Sequence, residues 1–236
     1  MRLPDTMIEG RLVRRYKRFL VDIILTDGSE VTAHCANPGA MLGLVAPGSR
    51  VLLSASTNPA RKLGFSWELV EADLPGGPQW VGINTMRPNA LVAEAFQAGL
   101  LAPLSGYERL RPEVRYAAAS RVDFLAEGNG LGPCHVEVKN CHLMRRPGLA
   151  EFPDCVAARS ARHMDDLAQV VVEGGQAVVI IVVQMQADRF DVARDLDPAF
   201  DRAFQRAREA GVEVHAYRCD VSPESIVVAE EIPVEG

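Results

Sequence analysis

Seven consecutive apolar residues, AVVIIVV at 177–183, constrain this chain more than any other stretch. The run is far too short to cross a bilayer, and a strand without a polar face needs cover on both sides. It therefore predicts a central strand, and its sequence neighbours can supply the cover. AARSARHMDDLAQVVVEG reads as a helix closed by Gly174. DPAFDRAFQRAREAG reads as a second, opened by Asp197-Pro198, with Phe200, Phe204 and Ala207 on one face and Gly211 at its end. VEVHAYRC follows as a last strand. Upstream, RPNALVAEAFQAGLL has Pro88 near a helix start, and PEVRYAAASRVDFLAEGNGLGPCHVEVKN reads as three strands joined by tight turns. That order predicts a mixed sheet flanked by helices, an α/β (α+β) fold.

The first third has a different texture. RLVRRY, FLVDIILT, VTAHC, SRVLLSAS and FSWELVEA are short strands separated by turn signals, of which Asp27-Gly28 is the strongest. Without a long helix among them they suggest a small barrel. DLPGGPQW at 73–80 is the break, so the expected division is 1–82 for the barrel and 83–236 for the mixed sheet.

Composition bounds the partners. A chain of 236 residues with 48% hydrophobic and 24% charged content is an ordinary globular protein. No membrane segment or signal peptide is legible at the N-terminus, which makes the cytoplasm the simplest compartment. Five scattered cysteines without a C-x-x-C pair argue against a disulfide framework and a zinc ribbon. The net charge of −6 counts against tight nucleic-acid binding, yet RLVRRYKR at 11–18 concentrates five cations and no acid. Either these residues blunt a strand edge or they form a footprint for phosphates. Arg61 and Lys62 belong to a second basic loop, for which solubility is the plain alternative.

The chemistry concentrates in RVDFLAEGNGLGPCHVEVKN, 121–140. Alternation projects Glu137 and Lys139 to one face while Val136 and Val138 turn to the core, and Asp123 points away from Val122 and Phe124. A turn near 128–133 would pair the strands and bring Asp123 beside Glu137. Two carboxylates, with the main-chain carbonyl of Val138, suit Mg²⁺, which keeps several of its waters. Lys139 on the same face can orient water and offset charge on an attacked phosphate, a division of labour that fits metal-assisted phosphodiester hydrolysis. The same residues also fit an exposed ion-pair ladder, and a bare D…E-x-K matches often by chance.

Several ordered blocks then narrow the choice. RRYKRFLVD (14–22), HCANPGAM (34–41), WELVE (67–71), INTMRPN (83–89), RVDFL (121–125), VEVKN (136–140), FPD (152–154) and GVEVHAY (211–217) together resemble the sugar fermentation stimulation protein A (SfsA) family over nearly the whole chain. The resemblance implies an OB-like barrel followed by a domain of the PD-(D/E)xK nuclease type. It casts Asp123, Glu137 and Lys139 as catalytic residues around Mg²⁺ or Mn²⁺, with Glu94 and Glu113 as further acids. It also implies non-specific DNA binding and a regulatory role in sugar, particularly maltose, metabolism.

In that setting Arg14, Arg15, Tyr16, Lys17, Arg18, Arg61 and Lys62 become candidates for tracking a phosphate backbone. The competing reading is a DNA-binding regulator that keeps the nuclease scaffold without catalysis, and homo-oligomerisation is left open. Phe19 is expected in the core, Asp154 as a helix cap, and His163 and Asp165 facing solvent. His142 is expected as a supporting or surface residue, and Asn37 and Gly39 as shapers of their turn. RRPGLA at 145–150 reads as a loop. His142, Cys155 and Ala157 depart from the residue types the family pattern leads one to expect.

Overall fold

A computed structural model describes residues 1–4, 6–58, 60–116 and 121–236. The N-terminal strands are β1 (Met7–Tyr16), β2 (Leu20–Leu25), β3 (Glu30–Cys35), β4 (Arg50–Ala55), β5 (Phe65–Leu74) and β6 (Gly77–Gly82). They pair in the order β3-β2-β1-β4-β5-β6, and a short parallel contact between β3 and β5, His34 with Ser66 and Cys35 with Trp67, closes β1 to β5 into a barrel. Alternation places Leu12, Val21, Ile23, Ala33, Val51, Leu53 and Trp67 inside. Gly10 is required by close approach, since a Cβ there would lie 2.4 Å from Ile23 Cγ2 and 2.8 Å from the Ile24 carbonyl oxygen.

The second half runs α1 (Pro88–Gln97), β7 (Arg109–Arg115), β8 (Arg121–Gly128), β9 (Leu131–Cys141), β10 (Leu143–Arg146), β11 (Leu149–Phe152), α2 (Ala158–Val172), β12 (Gln176–Val183), β13 (Arg189–Val192), α3 (Pro198–Ala210), β14 (Glu213–Val221) and β15 (Ile226–Ile232). The large sheet has the order β15-β14-β12-β9-β8-β7, with β12 parallel to both β9 and β14. The apolar run at 177–183 is thus a central strand, and its two faces serve different helices. Val179, Ile181 and Val183 pack in one cluster with Met164 and Leu167 of α2 and Phe200 and Phe204 of α3. Val178, Ile180 and Val182 pack in the other with Leu91, Val92 and Ala95 of α1. Fully burying each phenylalanine contributes roughly 1.5–3 kcal/mol, so the α3 stripe alone is a substantial anchor. Asp197 caps α3 by accepting the N–H groups of Ala199 and Phe200 at 3.1 and 3.0 Å.

The stretch expected as a loop at 145–150 instead lies largely within the β10–β11 hairpin, whose second strand pairs in parallel with β13. Pro147-Gly148 makes the turn, so the loop signal was real but covered only the hairpin's tip. β14, predicted as the last strand, is followed by an antiparallel partner, β15. Among the described residues no helix is long and apolar enough to cross a membrane.

Candidate functional site

The β8–β9 hairpin builds the acid centre. Its ladder pairs Phe124 with Val136, and beyond that pair an aspartate side chain takes over the bonding. Oδ2 of Asp123 accepts the N–H of Val138 at 2.8 Å, and Oδ1 accepts Nδ2 of Asn89, in the first turn of α1, at 3.0 Å. Asp123 is half-buried; burial first, then the charge of Glu137, pushes its carboxyl above the usual aspartate range. Glu137 is 2% exposed. Its Oε1 accepts Nζ of Lys139 at 2.6 Å and Nδ1 of His163 at 2.5 Å. Burial opposes its charge, but the His163 hydrogen bond and the Lys139 charge outweigh it and hold the carboxyl below the usual glutamate range. Its Oε2 is fully enclosed and has no hydrogen-bond partner among the described residues.

An enclosed carboxylate oxygen without a donor is costly, and a cation is one way to satisfy it. Among the described residues no three histidine, cysteine or acidic side chains are arranged as a metal cage. The donor set is therefore sparse: two carboxylates and main chain, the kind of set that suits an ion retaining its waters.

Asp123, Val138 and Lys139 line a cleft of about 760 Å³ between the sheet and the barrel loops, which contribute Arg18, Asn37 and Gly39. Glu137, buried, is not part of that lining. Glu113 also lines the cleft; on β7 it falls between the Pro112–Phe124 and Val114–Val122 pairs, opposite Asp123, with φ at 54°. That left-handed conformation is rare for a side-chain-bearing residue and costs roughly 1–3 kcal/mol.

The barrel docks through a polar seam. Asp154 Oδ2 accepts the Met41 N–H at 2.7 Å and lies 3.4 Å from His142 Nε2. Burial opposes ionisation of Asp154, but the hydrogen bond and charge of His142 outweigh it and bring the carboxyl down to about 2. Asn37 Nδ2 donates to the Ile83 carbonyl at 2.9 Å, and its Oδ1 accepts the Gly39 N–H at 2.9 Å. A Cβ on Gly39 would sit 2.5 Å from Asp154 Oδ2, so only glycine lets the turn approach this close. Asp154 is thus not a helix cap: Ala157 is the N-cap of α2, which has no side-chain cap, and Asp154 faces the barrel instead.

Other expected residues are dispersed. Glu94 pairs with the N-terminal ammonium at 2.7 Å, is 52% exposed and does not line the cleft. Arg14 pairs with Asp22 at 3.0 Å and lies over the Tyr16 ring, whose hydroxyl also donates to Asp22. Arg15 donates to the carbonyls of Asn37 and Gly39 at 2.8 and 2.9 Å, bracing the docking turn. Lys17 and Arg18 form the tip of the β1–β2 hairpin in left-handed conformations, and of these two only Arg18 lines the cleft. Arg61 donates to Ser66 Oγ at 3.1 Å, and Lys62 is exposed. Phe19 is 44% exposed and stacks on His34, not in the core, because the hairpin tip carries it beyond the barrel interior.

His163 is the main residue the sequence reading misplaced. It is 5% exposed, and Arg159 Nε donates to its Nε2 at 3.3 Å, which leaves Nδ1 as the donor to Glu137. The signal was its spacing: four residues before Leu167, it shares the buried side of α2. Asp165 does face solvent, paired with Arg206 at 2.7 Å. Asn89 was also missed, although Pro88 marks the helix start that aims it at the sheet.

Comparison with known proteins places this geometry in context. Residues 13–83 match the SfsA N-terminal OB domain, and residues 86–225 match the sugar fermentation stimulation protein RE domain. A sugar fermentation stimulation protein homolog of Methylorubrum populi is 73% identical over 234 residues, covering 99% of this chain and 95% of that protein. One from Caulobacter vibrioides is 51% identical, covering 98% and 96%. The structure of Pyrococcus furiosus SfsA in complex with Ca²⁺ shares the fold at a TM-score of 0.88 and 24% identity, over 100% of this chain and 98% of that one.

Proposed function

The chain belongs to the sugar fermentation stimulation protein family, and from that premise we propose a cytoplasmic DNA-binding protein whose cleft hydrolyses phosphodiesters in the manner of PD-(D/E)xK nucleases. Residues 83–236 would carry the chemistry and residues 1–82 would hold the nucleic acid. The observation that carries the proposal is the enclosed, unpartnered Oε2 of Glu137 beside Asp123 and Lys139. Asp123, Glu137 and the Val138 carbonyl would hold Mg²⁺ or Mn²⁺, and a solved relative in complex with Ca²⁺ supports a divalent ion. Such an ion polarises a phosphate and lowers the pKa of bound water.

The protein's own residues do the rest. Lys139 is tethered to Glu137, within reach of the cleft, where its ammonium can offset charge developing on the phosphate. His163 and Arg159 fix the Glu137 carboxylate, and Asn89 with the Val138 N–H fixes Asp123. The short Lys139–Glu137 contact favours a second reading, in which the acids and lysine form a structural ion pair and the protein regulates sugar metabolism by binding DNA without cutting it.

Labelled single- and double-stranded DNA incubated with Mg²⁺, Mn²⁺ or EDTA separates the two. Cleavage that EDTA stops, and that falls by about 100-fold or more in Lys139→Ala and Asp123→Asn, supports hydrolysis. Binding without cleavage under either metal leaves the regulator.

A further inference from the structure

We propose that Arg115 and Arg121 form a phosphate-binding pair that grips the nucleic-acid backbone beside the acid cleft. The inference rests on the reading of that cleft as a phosphodiesterase site and adds a contact for the strand being cut.

The two arginines are directly opposite each other across the antiparallel β7–β8 ladder. Like charges in that position repel. Both are exposed, and the side chain of neither makes a hydrogen bond or ion pair with any described residue. The sequence between them, YAAAS, contains no acid. The same ladder shows what compensation looks like: Arg109 and Arg111 reach Glu127 at 3.1 and 3.7 Å. Among the described residues the Arg115–Arg121 pair therefore stands as a concentrated positive charge without an ion-pair partner, open to a counter-ion from solution.

Its position selects the counter-ion. Arg121 and Asp123 are two residues apart on one strand and share a face, so their Cα atoms are about 7 Å apart. That is comparable with the spacing of neighbouring phosphates on a nucleic-acid strand. Guanidinium groups match phosphate oxygens through paired N–H donors, and two of them can hold both free oxygens of one phosphodiester. A strand entering the cleft over Asp123 would thus present its next phosphate to the arginines.

The test measures affinity for labelled single-stranded and duplex oligonucleotides in EDTA, across a range of NaCl concentrations. It compares wild type, Arg115→Gln/Arg121→Gln, and a matched-charge control, Arg202→Gln/Arg206→Gln on α3. The cleft-side double variant is expected to bind on the order of ten-fold more weakly, with a salt slope shallower by about one. The control should bind as wild type does. Relief of repulsion should also leave Arg121→Gln melting at or above the wild-type temperature, which separates the effect from misfolding.

Wild-type affinity and slope in the cleft-side variant would overturn the proposal. So would an equal loss in the control, or no nucleic-acid binding by wild type. Cleavage is scored separately: weakened binding by the arginine variant without any wild-type cleavage keeps the phosphate pair and removes the hydrolytic reading. Cleavage with unchanged binding by the arginine variant does the reverse.

Discussion

Asp154→Asn tests the seam that holds the cleft together. The native carboxyl titrates at about 2 against a usual 3.8. That difference corresponds to about 2 kcal/mol of native stabilisation by the ionised form. Because the native value is the lower one, the contribution is complete above pH 3.8 and disappears as pH falls through about 2. Asparagine preserves the shape but not the charge facing His142. Urea unfolding can be followed by the fluorescence of Trp67, in the barrel strand β5, and Trp80, in the adjoining β6. The variant should be about 2 kcal/mol less stable near pH 5, and the gap should close as wild type is titrated from about pH 4 to about pH 2. A gap below about 0.5 kcal/mol near pH 5, or one that stays constant through the acid range, would refute an ionised Asp154 as the tie between barrel and sheet.

Three further outcomes follow from the same contacts. Gly39→Ala should cost about 1–3 kcal/mol by urea unfolding, because its Cβ would meet Asp154 Oδ2 at 2.5 Å. His163→Ala removes a donor from a buried, ionised Glu137 and should cost about 1.5–3 kcal/mol, with partial rescue by His163→Asn if the amide reaches Oε1. Mg²⁺ or Mn²⁺ should raise the melting temperature of wild type, by mass action on the native state, but not that of Glu137→Gln; an equal rise in both would remove Glu137 Oε2 from the metal site.

The parts of this protein legible in the sequence are those set by periodicity. Alternation about Glu137 and Lys139 fixed which face they take, and the unbroken apolar run at 177–183 announced a strand covered on both sides. What stayed hidden are contacts made between elements far apart in sequence. His163 looks like one more polar residue on an amphipathic helix until α2 is packed on the sheet, where Glu137 waits 26 residues upstream. Asp154 precedes a helix, which suggests a cap, yet the N–H it satisfies belongs to Met41, 113 residues away. Arg15 counts as a free cation in composition, but the Asn37 turn takes its donors. Basic segments therefore overstate a binding surface wherever main-chain carbonyls are within reach. The cations left for a polyanion are those whose side chains the fold leaves without a partner; among the described residues Arg115 and Arg121 meet that condition, while most of the RLVRRYKR segment does not.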